Sequence, residues 1–159
     1  MAGPDLLLRP ATAADAPALR AILHDTFEST WRPQLPPAAA EAFRREDRPA
    51  AYVSDRGLRF IVAERAGKAA GFVDWDGDFV NALHVATRHA GAGLGRALMD
   101  HAEAEIARAG HAAARLETDT FNTRSRAFYA ARGYREADSY PDHEWGGRLT
   151  TLLLVKELS

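Results

Sequence analysis

Residues 83–98 read LHVATRHAGAGLGRAL, and this stretch joins two kinds of pattern. Before it, Phe79 to Val85 has the alternation of a strand. After it, Leu94, Leu98, Ala102, Ile106 and Ala109 recur on one face of a helix that Gly110 stops. Between them stand glycines 91, 93 and 95. Glycines let a backbone turn tightly and aim several N–H groups at one spot. A helix start adds unpaired N–H groups and a partial positive charge, so the corner reads as a phosphate site. A P-loop would need a Lys-Ser/Thr pair, which is missing. A dinucleotide fingerprint would need G-x-G-x-x-G, but position 96 is arginine. The βαβαβ alternation of a dinucleotide half is missing too.

Upstream of this corner, Leu6 to Arg9 is a short strand bounded by Pro4 and Pro10. Thr12 and Asp15 have the spacing of a helix start, and Leu19, Ile22, Leu23 and Phe27 follow at helical spacing. Prolines 33, 36 and 37 break that helix. A second one is expected from about Pro37 to Arg45, ended by Pro49. Leu58 to Ala63 and Ala69 to Trp75 read as paired strands around a turn at 66–68. Asp76-Gly77 is a hairpin signal leading into Phe79 to Val85. Downstream, Ala113 to Glu117 is a strand and Thr123 to Arg132 a helix stopped by Gly133. Tyr134 to Ala137 and Leu149 to Val155 are final strands. The order is β-α-α-β-β-β-α-β-α-β-β. The meander implies antiparallel pairing, and the strand-helix-strand from Phe79 to Glu117 implies one parallel step. The fold class is therefore α/β (α+β), a mixed, mainly antiparallel sheet flanked by helices.

The 159 residues suit one domain, 1–159. Twenty basic against 22 acidic residues give a formal charge of −2, which disfavours nucleic acid as a partner. Zero cysteines exclude disulfides, thiolate zinc ligands and a cysteine nucleophile. No apolar run approaches the ~18 residues of a membrane span, and MAGPDLLLRP lacks the basic leader of a secretory signal. A cytoplasmic protein with no membrane partner is expected.

Residues 121–134 read FNTRSRAFYAARGY, where Asn122 can cap the helix. Here Asn122, Ser125, Phe128, Tyr129, Gly133 and Tyr134 resemble the N-x-x-[AS]-x-x-F-Y-x-x-x-G-[FY] pattern of the GNAT superfamily of N-acetyltransferases. The glycine corner resembles that family's [QR]-x-x-G-x-[GA] loop, and the order of elements agrees along nearly the whole chain. Two motifs at the family's separation are far more specific than either alone.

The resemblance implies an N-acetyltransferase that uses acetyl-CoA and acts on a primary amine of a small molecule or peptide. It places the backbone of Leu83, His84 and Val85 along the pantetheine arm as an added strand. It places the N–H groups from Ala90, Gly91, Ala92 and Gly93 through Leu94, Gly95 and Arg96 at the pyrophosphate. Asn122 would bind the pantetheine or an ordered water, and Tyr129 would protonate the leaving thiolate. The family's [QR] falls on Ala90 and a frequent later arginine on Ala92, so side-chain help would come from Arg88, His89 or Arg96. The early glutamate that many relatives use as base falls on Phe79, beside Asp78. Asp78, His84, Glu117 or solvent are left as proton acceptors.

With no cysteine and no recognisable Ser-His-Asp set, direct attack in a ternary complex is expected rather than an acyl-enzyme. Asp74 to Asp78 resembles a calcium loop but has Phe79 and Val85 where Gly and Glu would be needed, so it reads as a charged hairpin. His84 and His89 lack metal spacing, and no metal is expected; His84 reads either as facing the acceptor site or as an exposed strand histidine, the second being favoured. Phe27, Trp31 and Pro33 either line the acceptor pocket or, for Phe27, fill the core. The final strand, long and apolar for an edge, points to a homodimer. The rival function is a catalytically weakened CoA-binding regulatory or structural module. A third reading, a nucleotide-binding protein, is disfavoured by the loop spacing.

Overall fold

The computed structural model describes residues 5–159. Pro4, expected to bound the first strand, lies outside them. The chain forms a mixed, mainly antiparallel sheet flanked by helices, in the strand order β1-β2-β3-β4-β5-β7-β6. It divides into two compact units, Met1–Asp74 with Ala82–His101, and Trp75–Asn81 with Ala102–Ser159.

The first unit opens with β1 (Leu6–Pro10). A capping box between Thr12 and Asp15 then starts the turn into α1 (Ala16–Thr26). The helix continues as a π-helical turn over Phe27–Trp31 and a 3₁₀ turn over Arg32–Gln34 before the prolines end it. Next come α2 (Pro37–Glu46) and α3 (Arg48–Arg56). The latter is an element beyond the expected order. Pro49 starts this helix rather than stopping the previous one, because proline lacks only an N–H that a first turn leaves unpaired. The break is made by Asp47, in the left-handed region at φ +48°, whose carboxylate accepts the Ala50 N–H at 3.3 Å.

The strand expected from Leu58 begins later, as β2 (Ile61–Arg65), with Leu58 exposed in a 3₁₀ turn. It pairs antiparallel with β1 and with β3 (Lys68–Asp76), which turns at Gly77 into β4 (Phe79–Val85). Leu19, Ile22, Leu23, Val53, Phe60, Val62 and Phe72 form the core of this unit. Each such burial is worth about 1.5–3 kcal/mol.

In the second unit, the C-terminal part of α4 (Leu94–Arg108) precedes β5 (Ala113–Asp119), α5 (Thr123–Ala131), β6 (Arg135–Pro141) and β7 (Thr150–Glu157). The parallel step is present: Phe79 pairs with Arg115 and Val80 with Leu116. The final strand is not an edge. β7 lies between β5 and β6, with Leu154 opposite both Leu116 and Glu136. The edge is β6, exposed at six of its seven residues and closed by a proline, features that discourage pairing with another chain. The apolar run in β7 is explained by its place within the sheet, between β5 and β6.

Candidate active site

The expected site residues fall in both units, and each group is built separately. In the first unit, Leu83, His84 and Val85 end β4, each half-buried. On the β3 side the two backbones come close: a β-carbon on Gly71 would lie 2.7 Å from the His84 carbonyl oxygen and 3.3 Å from the Val85 Cα. Only glycine fits there.

The chain then leaves β4 through a 3₁₀ turn at Thr87–His89. The Asp25 carboxylate of α1 anchors that turn, accepting the Thr87 N–H at 2.7 Å and its hydroxyl at 3.0 Å. Gly91 and Gly93 take φ of +78° and +85°, and a β-carbon on either would point into open space. Buried Leu94 fixes the start of α4, whose first bond runs from the Ala97 N–H to the Gly93 oxygen at 3.1 Å. The six backbone N–H groups of Gly91, Ala92, Gly93, Leu94, Gly95 and Arg96 have no hydrogen-bond partner among the described residues. Consecutive free donors at a helix N-terminus make an anion cradle. Ala90 is exposed, as are Arg88 and Arg96. Burial and the neighbouring Arg88 and Arg65 charges push His89 below its ordinary pKa, which leaves the arginines as the loop's cations.

His84 departs from the exposed histidine expected. Its ring stacks on Phe72 at 5.4 Å and lies 6.1 Å from the indole of Trp31, and its Nδ1 is 2.8 Å from the Thr26 hydroxyl. Burial pulls its pKa down to about 4. Phe27 stacks on Phe43 at 3.7 Å and is core, Trp31 is half-buried, and Pro33 is exposed.

In the second unit, Asn122 caps α5, its Oδ1 accepting the Ser125 N–H at 3.1 Å. Its side-chain NH₂ has no partner among the described residues. Tyr129, in the last turn of α5, has a buried ring packed edge-on against Phe128 and Tyr134, with centroids 5.0 and 5.5 Å apart. Its hydroxyl makes no hydrogen bond among the described residues. No fully enclosed side-chain polar atom is left unpaired among the described residues. Burial raises the phenol well above its ordinary value, so it is protonated at neutral pH and suited to donating a hydrogen bond.

Of the proton acceptors, Asp78 is engaged by Arg115 through two bonds of 2.9 and 3.0 Å. That guanidinium holds its carboxyl below the usual range. Arg115 also lies 5.4 Å from the ring centre of Phe79, the residue at the family's base position. Glu117 faces away from buried Leu116, as strand alternation requires, and accepts the Tyr140 hydroxyl.

Three buried carboxylates escaped the sequence reading; one, Asp142, accepts the backbone N–H groups of Trp145 and Leu149. Asp74 lies on the β3 side of the charged hairpin, yet it is fully buried and accepts the Tyr52 hydroxyl at 2.6 Å and Arg56 at 2.7 and 3.0 Å. Glu103, on α4, accepts the Tyr134 hydroxyl at 2.9 Å, Lys156 at 2.6 Å and Arg132 at 3.2 Å. It thereby ties down the ring on which Tyr129 packs. The only local signal for Asp74 or Glu103 was a charge breaking an apolar pattern. No group of three or more His, Asp or Glu side chains is placed to hold a metal ion among the described residues.

The glycine cradle after β4 and the capped helix carrying Tyr129 are the two signatures of one class of transferase. The model of the acetyltransferase (GNAT) family matches residues 16–134, and the chain belongs to that family. It is 40% identical over 95 residues to the blasticidin-S acetyltransferase of Streptomyces morookaense, covering 60% of this chain and 68% of that one. A GCN5-related N-acetyltransferase from Rhodopseudomonas palustris superposes with a TM-score of 0.77 at 21% identity, over 99% of both chains. The PaiA N-acetyltransferase of Thermoplasma acidophilum, solved with coenzyme A, gives 0.75 at 17% identity, over 96% of this chain and 99% of that one. At these identities the two structures speak for the fold.

Proposed function

We propose that this chain transfers the acetyl group of acetyl-CoA to a primary amine, by direct attack within a ternary complex and with residues 1–159 acting as one catalytic domain. The observation that carries the reading is the run of six unpaired backbone N–H groups from Gly91 to Arg96. These donors fit a pyrophosphate, and the open space over Gly91 and Gly93 lets one approach. When bound, acetyl-CoA supplies the activated acyl group. The backbone of Leu83, His84 and Val85 aligns the pantetheine arm, and the Val85 N–H faces the thioester oxygen as it gains charge. The free NH₂ of Asn122 bonds the pantetheine or an ordered water. Tyr129 donates its hydroxyl hydrogen to the departing sulfur. The likeness to blasticidin-S acetyltransferase favours a small molecule over a peptide as acceptor.

Thiol release from acetyl-CoA across a panel of amines, polyamines, aminoglycosides and peptide N-termini tests the activity. Calorimetry with CoA tests the cradle. Gly93→Val places a side chain over the donors and strains a positive φ, and at least ~10-fold weaker CoA binding, about 1.4 kcal/mol, is expected. Unchanged affinity removes the loop from the site. Tight CoA binding without turnover of any amine favours a regulatory module instead.

A further inference from the structure

Within the first unit, the glycine cradle is tethered at two points. On its far side, buried Leu94 fixes the start of α4. On its near side, the chain from Ala86 to Ala90 forms a stem whose backbone donors are paired. The Ala86 N–H goes to the Ala70 oxygen at 2.8 Å, and those of His89 and Ala90 go to the Ala86 and Thr87 oxygens at 2.8 and 3.1 Å. The Thr87 N–H goes to the Asp25 carboxylate at 2.7 Å. Of these bonds, only the last leaves the sheet and the turn, and it crosses 62 residues of chain to reach α1. From Gly91 onward the donors are free.

We propose that Asp25 is a positioning residue for the cofactor: through Thr87 it sets where the free N–H groups of Gly91 to Arg96 point, and so governs the affinity for the CoA pyrophosphate. The inference rests on the acetyl-CoA reading above. Both carboxylate oxygens are spent on Thr87, Oδ2 on its N–H and Oδ1 on its hydroxyl at 3.0 Å, and Asp25 has no other partner among the described residues. Two bonds to one residue fix its rotation as well as its place. The next residue of α1, Thr26, lies 2.8 Å from His84 Nδ1, so one helix end grips the chain at both 84 and 87. Leu23 and Thr26 are buried there, which makes that helix end a firm post.

The tether matters because of what it holds. Gly91 and Gly93 take positive φ with open space around them, and glycine loses more freedom on being fixed than any other residue. A loop of this kind held at one end only samples many directions, and binding must then supply the ordering. Attraction to the ligand does not account for Asp25, because a carboxylate at the root of an anion site repels a pyrophosphate. Removing Asp25 removes that repulsion too, so the two effects have opposite signs. Salt screens the repulsion, and the lost tether wins. The bonds to Thr87 are open to solvent, so they add little to global stability, and the effect falls on affinity rather than on folding.

Calorimetry with CoA, paired with nitrogen relaxation of the loop amides, is the test. Asp25→Ala removes both oxygens, and at least ~5-fold weaker CoA binding is expected, with Tm little changed. Asp25→Asn keeps one oxygen for the Thr87 N–H and offers its NH₂ to the hydroxyl oxygen, so an affinity within ~3-fold of the unaltered protein is expected. In the double variant with Thr87→Val, affinity falls no further than in Asp25→Ala, because the hydroxyl has nothing left to bind. Without CoA, the amides of residues 87–93 gain fast motion in Asp25→Ala, and those of β4 do not. Unchanged or tighter CoA binding in Asp25→Ala overturns the proposal. So does an Asn variant as weak as the Ala variant, additive losses in the double variant, or a loop that stays as ordered as before. If Asp25→Ala does not fold, Thr87→Val decides: a loss of ~2-fold or more in CoA affinity supports the tether, and an unchanged affinity overturns it. If the unaltered protein binds no CoA, the acetyl-CoA reading fails by itself, and loop relaxation in the free proteins still decides whether Asp25 holds the turn.

Discussion

Gly71 on β3 lies so close beneath His84 on β4 that a β-carbon would come within 2.7 Å of the His84 carbonyl oxygen. Real β-carbons do not approach backbone oxygen so closely, so one strand must move. Gly71→Ala is expected to cost about 1–3 kcal/mol, as overpacking does, and to displace the backbone assigned to the pantetheine arm. Urea unfolding and CoA calorimetry should both register it. Loss of stability with unchanged CoA affinity would separate residues 83–85 from the cofactor.

Tyr129→Phe keeps the ring between Phe128 and Tyr134 and deletes a hydroxyl that has no protein partner. Tm should therefore hold. A kcat loss of ~10–10³-fold is expected with acetyl-CoA affinity little changed. A preserved kcat with reduced Tm would make Tyr129 a packing residue, and a collapse of affinity would make its hydroxyl a binding group.

Asp74 is fully buried, and Arg56 is the cation bound to it. Arg56→Met leaves that carboxylate facing an apolar side chain, with an expected cost of about 3–5 kcal/mol. Tyr52→Phe removes one neutral donor and should cost about 1–3 kcal/mol. Denaturant midpoints of the two variants should fall in that order, and equal effects would argue against the ion pair as the larger contribution.

His84 also sets a pH dependence. Its pKa is about 4 when folded against an ordinary 6.5. The unfolded chain thus gains a proton below pH 6.5 that the folded chain refuses until about pH 4. Stability is full above 6.5 and declines as the pH falls through this window, by at most about 3 kcal/mol given the ring's partial exposure. Asp15, held at about 2 chiefly by hydrogen bonds from Arg9, acts below that window, between 3.8 and 2. Thermal melts from pH 7 to 4 should slope downward, and His84→Asn should flatten the slope. An unaltered slope in the variant would place the titration elsewhere.

Much of the candidate site was legible because its signals are local. The glycines at 91 and 93 do take positive φ, Asn122 caps its helix, and β4 covers Phe79–Val85 as its alternation indicates. Pro49 was misread because proline is both a helix stop and a helix start, and Asp47 decides between them only through its own left-handed backbone.

The sequence by itself determined the order of the main elements, the glycine corner and the family pattern from Asn122 to Tyr134. Each of these follows from short-range rules of periodicity, capping and permitted φ that act within a few residues of chain. Tertiary structure alone decided that β7 lies inside the sheet, that Asp78 belongs to Arg115, that Asp74 and Glu103 are buried, and that His84 hydrogen-bonds with Thr26. The partners in these pairs stand between 37 and 58 residues apart for Asp78 and His84. Whether a charge is exposed, paired or buried depends on which distant segment folds against it, and nothing in its immediate neighbours carries that information.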